Sequence, residues 1–359
     1  MWKKYRVSAA LLLVCLLTGC AGETAEREEI QEEEESGIEI GMTFDSFIIE
    51  RWQRDRDVFV SAAQELGADV NVQNANGDLE EQISQIEYFI QKGVDAIVVV
   101  AIDSNGLSDA VADAHRAGIP VVAYDRLICD ADVDLYISFD NEEVGRLMGE
   151  HMKEHLSEGG NILQVCGPLA DNNVPLVMGG FAEALENSDI TIAGTEHADG
   201  WLAETGFAVT DAYLSTGEVP DGIMCGNDSI AGQAIRALSE QRLAGSVCVV
   251  GQDADLDACQ RIVEGTQCMT VYKPVEKLAR RAAELAVGLA RGDVITATET
   301  MNDGSGTIPG VIIGALLLGV INMGMSIMGI GDSWQYVVKG GVLLVAVIFD
   351  VVSNRKSGH

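Results

Sequence analysis

From about residue 38 to residue 300, short apolar runs alternate with amphipathic helical runs, and that alternation restricts the chain to a parallel α/β fold. Strand-like runs fall at residues 39–44, 69–73, 96–101 and 120–123, and helical runs at 54–66, 79–92 and 107–117. A strand, a helix and a second strand in this order pack as a right-handed crossover, which lays the two strands parallel. Gly67, Gly93 and Gly118 stand just past the three helical runs, where a chain leaving a helix turns left-handed.

The pattern begins again after Tyr136-Ile137-Ser138-Phe139-Asp140. A helix is predicted over 142–156, followed by strands at 162–165, 190–195, 222–225 and 247–251 and helices at 179–187, 205–215 and 230–240. Near 269–273 the chain is expected to cross back, and 275–291 reads as a helix returning to the first set. The expected organisation is therefore two lobes, one from 38–140 and 271–300 and the other from 141–270. Lobes joined by several crossings can close on a ligand by hinge motion.

The formal net charge of −33 argues against nucleic acid as a partner, because its phosphates would repel the chain. Both ends of the sequence differ from the middle. Lys3, Lys4 and Arg6 precede an apolar run over 7–17, and Leu17-Thr18-Gly19-Cys20 follows, so residues 1–20 read as a secretory signal. The cysteine after small residues resembles a bacterial lipobox, which implies acylation of Cys20 and anchoring outside the cytoplasmic membrane. Residues 21–37 are glutamate-rich without apolar periodicity and read as an extended acidic tether.

At the other end, residues 307–331 carry no charge, and 333–349 carry only Lys339. At about 1.5 Å per residue the first run exceeds a hydrocarbon core of about 30 Å. A helical transmembrane hairpin is therefore expected over 307–353. Arg355-Lys356 would then lie outside, against the positive-inside tendency.

Six cysteines lie beyond the signal, with no C-x-x-C or Cys/His ligand spacing, so no metal site is expected. Cys166, Cys225 and Cys248 fall in apolar strand runs and read as core residues, and a Cys259–Cys268 disulfide is one open pairing. There is no nucleophile–base pair and no phosphate-binding loop, so the chain reads as a binding protein without catalysis or cofactor.

The candidate ligand groups cluster where strands should end. Arg51 and Arg126 offer forked donors, Asp125 and Asp253 accept, and Lys273 adds a pointed cation. Trp52 and Trp201 offer flat faces to the C–H side of a sugar ring, and Asp171, Asn173 and Asn227 add carboxylate and amide groups from second-lobe loops. In open α/β sheets, strand carboxyl ends are where ligands bind. These groups suit a small, neutral molecule with many hydroxyls.

Glu50-Arg51-Trp52-Gln53, Gln73-Asn74-Ala75-Asn76-Gly77, Ala123-Tyr124-Asp125-Arg126, Asp199-Gly200-Trp201-Leu202, Gly251-Gln252-Asp253-Ala254-Asp255-Leu256 and Met269-Thr270-Val271-Tyr272-Lys273-Pro274 closely resemble the periplasmic D-xylose-binding protein family. The resemblance covers about residues 38–304 and implies a type I periplasmic-binding fold with a pyranose site. It implies that Arg51, Trp52, Asp125, Arg126, Asp171, Asn173, Trp201, Asn227, Asp253 and Lys273 hold the sugar, with Trp52 and Trp201 as stacking faces. It also implies delivery to an ABC transporter permease driven by a separate ATPase. The tail, with Asn322-Met323-Gly324-Met325-Ser326 and Trp334-Gln335-Tyr336-Val337-Val338-Lys339-Gly340, is similar to the carboxyl end of the xylose permease, as a fusion of neighbouring genes would make it. Two other classes stay open at this stage: a sugar sensor docking on a membrane receptor or kinase, and a non-functional fusion product.

Overall fold

The computed structural model describes residues 37–301, and there the alternation becomes two separate parallel sheets. The first comprises β1 (Ile38–Phe44), β2 (Ala68–Asn74), β3 (Ala96–Val99), β4 (Val121–Tyr124), β5 (Leu135–Phe139) and β11 (Thr298–Met301), in the order β11-β5-β4-β3-β1-β2. The second comprises β6 (Gly160–Cys166), β7 (Ile190–His197), β8 (Gly222–Cys225), β9 (Cys248–Gln252) and β10 (Met269–Val271), in the order β10-β9-β8-β6-β7. Apart from β11, both sheets are wound alike. The first strand has its successor on one side and later strands on the other, which opens a crevice at its carboxyl end.

The strand β3 shows why such sheets form from continuous apolar runs. Ile97 and Val99 face a core shared with α2 (Leu79–Lys92) and α3 (Ser108–Arg116), while Ala96 and Val98 face the opposite core. A strand covered by helices on both faces has no solvent side and needs no polar alternation. Helices α1 (Arg51–Glu65) and α9 (Val275–Ala290) pack together over that opposite face, so α9 returns the chain to the first lobe.

In the second lobe α4 (Asn141–His155) lies against α5 (Asn173–Ala184) at very close range. A Cβ on Gly145 would sit 1.9 Å from the Val177 carbonyl oxygen, and one on Gly180 would sit 1.9 Å from that of Glu142. Only glycine permits this approach of backbones. Helices α6 (Glu204–Leu214), α7 (Asp228–Glu240) and α8 (Leu256–Glu264) complete the lobe. Among the described residues the chain passes between lobes twice, at Asp140 and at 272–274.

Two helix starts lie three or more residues from the expected ones. The α1 helix begins at Arg51 rather than 54, and α5 begins at Asn173 rather than 179. The α5 start is held by the Asp171 carboxylate, which accepts from the Asn173 amide at 2.9 Å. Pro175 lies in that first turn, where its missing N–H leaves no bond unmade. The α8 helix and the β11 edge strand were not anticipated. Among the described residues no helix is long and apolar enough to cross a membrane. The expected signal (1–20), nearly all of the tether (21–36) and the hairpin (307–353) lie outside the described residues.

Candidate functional site

Eight connections at strand carboxyl ends converge between the lobes and line a pocket with about 320 Å³ of empty space, part of it open to solvent. Ile49, Arg51 and Trp52 come from the loop after β1 and the first turn of α1; Asp125 and Arg126 directly follow β4. From the second lobe come Asp171 and Asn173 after β6, Trp201 after β7, Asn227 after β8, and Gln252 and Asp253 at the end of β9. Asn141 and Lys273 lie at the two crossings.

Charge pairing organises this pocket. Arg51 donates from Nη2 to Asp125 Oδ2 at 2.7 Å and to Asp55 Oδ1 at 3.2 Å, and its Nη1 lies 3.8 Å from Asp253 Oδ1. Arg126 donates from Nη1 to Asp45 Oδ2 at 2.7 Å and to the Ala101 carbonyl at 3.0 Å, while its Nε meets Asp171 Oδ2 at 2.7 Å. Lys273 Nζ is 2.8 Å from Asp253 Oδ1.

Burial alone would lower the Arg51 pKa, but Asp125, Asp55 and Asp253 together hold it well above its ordinary value. Burial alone would raise Asp125, but Arg51 and Lys273 hold it below the usual carboxylate range. Asp55 and Asp171 go the other way, pushed upward by burial that their arginine partners only partly offset. Three cations thus face five carboxylates, counting Asp45. An anionic ligand would meet a surplus of negative charge, whereas a neutral polyol can both donate and accept.

Several of these contacts bridge the cleft. Arg126 and Asp171 belong to different lobes, and their side chains are only 3% and 1% exposed. Asn173 Nδ2 donates to Asp125 Oδ1 at 3.0 Å and to its carbonyl at 3.1 Å. The Ser104 amide donates to the Ala170 carbonyl at 2.8 Å, and the Leu127 amide to Asn172 Oδ1 at 2.7 Å. The structure is therefore the closed form.

The aromatic walls are set by the same arginines. The Arg51 guanidinium lies 4.3 Å from the Trp52 ring centroid, and that of Arg126 lies 5.4 Å from Trp52 and 5.9 Å from Trp201. Trp201 also donates from Nε1 to Asp171 Oδ2 at 3.2 Å. Backbone strain gathers here as well. Asp125 (φ 65°), Trp201 (φ 63°) and Asp253 (φ 98°) all occupy left-handed or related conformations unusual for such residues. Strain of this kind costs on the order of 1–3 kcal/mol per residue and persists where surrounding structure enforces it. Among the described residues, buried polar atoms without a hydrogen-bond partner include Trp52 Nε1, Gln252 Oε1 and Asp253 Oδ1, all on pocket-lining residues. Asp253 Oδ1 has its ion pair to Lys273 without hydrogen-bond alignment.

All ten residues singled out in the sequence lie around this one pocket. Arg51 and Trp52 do not sit at a strand end, as expected, but in the first helical turn beyond a loop. Asn227 also caps α7, its Oδ1 accepting from the Ile230 amide at 2.9 Å. Sequence reasoning missed Ile49, Asn141 and Gln252. Asn141 had a legible signal, since it opens a helix directly after an apolar strand; it donates to Asn173 Oδ1 at 3.0 Å. The pairing of Cys259 with Cys268 is not made. Both thiols are free, because Cys259 belongs to α8 and the edge-strand approach sets Cys268 beside Cys248 instead. Folding also brings His151, Cys248 and Cys268 together, a grouping that linear spacing does not show.

Two parallel α/β lobes closed over a polar, aromatic-walled cleft define the class of two-lobed solute-binding proteins. Residues 40–293 match the family described as periplasmic binding protein domain, and the chain belongs to that family. It is 42% identical over 312 residues to the D-xylose-binding periplasmic protein of Escherichia coli (strain K12), covering 85% of this chain and 91% of that one. It is 43% identical over 281 residues to the protein of the same name from Haemophilus influenzae, covering 77% and 84%. Among solved structures it is similar to a periplasmic solute-binding protein of an ABC transporter from Actinobacillus succinogenes with bound D-allose. The TM-score is 0.68 at 26% identity, covering 74% of this chain and 96% of that one.

Proposed function

We propose that this chain is an extracytoplasmic solute-binding protein that captures D-xylose, or a closely similar monosaccharide, between its lobes. It delivers the sugar to an ABC transporter permease driven by a separate ATPase. The observation that carries the reading is the pocket itself: arginines paired with aspartates, two tryptophan walls and two buried polar atoms without a partner, Trp52 Nε1 and Gln252 Oε1, contributed by both lobes. Hydrogen bonds from sugar hydroxyls to charged groups contribute roughly 1.5–3 kcal/mol each. A few of them, net of ordering costs, reach the roughly 8 kcal/mol of micromolar affinity. The names of these two relatives, each more than 40% identical, support xylose as the sugar.

In this reading residues 1–20 are a lipoprotein signal ending at an acylated Cys20, residues 21–37 are a tether, and 307–353 are a permease-like membrane segment. Calorimetry with a panel of pentoses and hexoses tests the sugar assignment: xylose gives heat and saturates at micromolar concentration. Heat from ribose or glucose with none from xylose would overturn it. Incorporation of labelled fatty acid, abolished in Cys20→Ala, tests the anchor.

A further inference from the structure

Three soft or borderline ligands meet at the edge of the second lobe opposite the pocket. Cys248 opens β9, Cys268 immediately precedes β10, and His151 lies in the last turns of α4, which packs on both strands. One ligand atom from each lies within 4.8 Å of the other two. A tetrahedral zinc ion, with bonds of about 2.3 Å to sulfur and about 2.0 Å to nitrogen, needs its ligand atoms about 3.4–3.8 Å apart. Side-chain rotation covers that difference.

The three ligands are held independently. Cys248 is fully buried in the sheet, and Cys268 is clamped to β9 by its amide, which donates to the Val249 carbonyl at 2.9 Å. His151 rides on a helix anchored through the buried Met148 and Met152. Cys268 and His151 are half-buried, which leaves an approach for an ion.

We propose that His151, Cys248 and Cys268 form a site for a thiophilic divalent cation of the zinc type. Two thiolates and an imidazole select zinc-like ions over magnesium or calcium, which prefer oxygen. Each thiol gives up its proton on binding, so two protons are released per ion. The ion ties the edge strand β10 to α4, and β10 runs directly into Lys273 of the pocket. A disulfide between Cys248 and Cys268 is the competing fate, and it would abolish the site.

The full-length chain, reduced and then freed of reductant, is titrated with cobalt(II) alone. The expected result is a near-ultraviolet thiolate-to-cobalt absorption that saturates at one equivalent, with two thiols protected from alkylation. Cys268→Ser loses the absorption, while Cys259→Ser keeps it; far-ultraviolet circular dichroism checks that both variants fold. His151→Ala, which leaves both thiols in place, shows a weakened and shifted band. No absorption at stoichiometric cobalt, or an unchanged band in Cys268→Ser, overturns the proposal. So does a Cys248–Cys268 disulfide, found by mass spectrometry in chain isolated with thiols blocked at lysis.

Discussion

Replacing Asp171 by asparagine removes a charge from the contact that joins the lobes; with the amide oxygen towards Arg126, its NH2 faces the Asn173 amide, which loses its acceptor in the open and closed forms alike. Its Oδ2 faces Arg126 Nε at 2.7 Å and accepts from Trp201 Nε1 at 3.2 Å. A hydrogen bond to a charged group contributes roughly 1.5–3 kcal/mol, against roughly 0.5–1.5 for a neutral pair. The cross-cleft bond to Arg126 therefore weakens by about 1–1.5 kcal/mol, and that to Trp201 weakens as well. Arg126 is not stranded, since Asp45 and the Ala101 carbonyl still hold it. The loss thus stays below the roughly 3–5 kcal/mol of a broken buried pair. Burial pushes the Asp171 carboxyl upward, a cost that asparagine avoids and that trims the loss further. The net effect is about 1–2 kcal/mol against the closed form, a factor of about 5–30. Because ligand affinity scales with the fraction of competent closed form, xylose affinity should fall by a similar factor. Calorimetry gives the affinity, and small-angle scattering with saturating sugar gives the degree of closure. Affinity within about twofold of the parent, with unchanged closure, would refute this account of the Arg126–Asp171 contact.

Three further outcomes are expected. Gly167→Ala should cut sugar affinity with little effect on fold, since its Cβ would sit 2.4 Å from the Trp201 ring and push that wall aside; calorimetry and circular dichroism separate the two. Gly145→Ala should lower stability by more than the roughly 1–3 kcal/mol typical of overpacking, because the clash is with backbone; urea denaturation measures it. Asp228, deeply buried, is pushed up to about 8 chiefly by burial, against hydrogen bonds from Thr270 and Gln267. The native state then binds a proton that the unfolded chain has already released, so this group's contribution to stability falls as pH rises from about 4 towards 8. Asp228→Asn should flatten that slope, read from urea midpoints at pH 5 and 8.

Much of the fold was legible because local signals and packing agree. Residues 79–92 were readable to the residue: Asp78 caps the start by accepting from the Glu80 and Glu81 amides, and Gly93 ends it at φ 73°. By contrast, α8 keeps Leu256 and Val263 largely exposed and only Ala258 fully buried, so its large apolar residues do not mark the face it buries. The β11 strand is short, partly exposed and at a sheet edge, and Thr298-Glu299-Thr300-Met301 lacks the apolar run of its neighbours. In the pocket, charges directly after strands, such as Asp125 and Arg126, were readable from position alone. Asp55 and Tyr124, which set the Arg51 environment from behind, were not, because a helix-face aspartate looks solvent-exposed until α1 is docked on the sheet.

The contacts across the cleft also set a clock. Anything enclosed there cannot leave until the Arg126–Asp171 pair, the Asn173–Asp125 bonds and the two backbone bonds from Ser104 and Leu127 have parted. Escape is then limited by how often those bonds fail together, and entry by how long the gap stays wide. Changes to the bridges should therefore act mainly on residence time, while changes to groups facing only the enclosed molecule should leave the rhythm of opening intact.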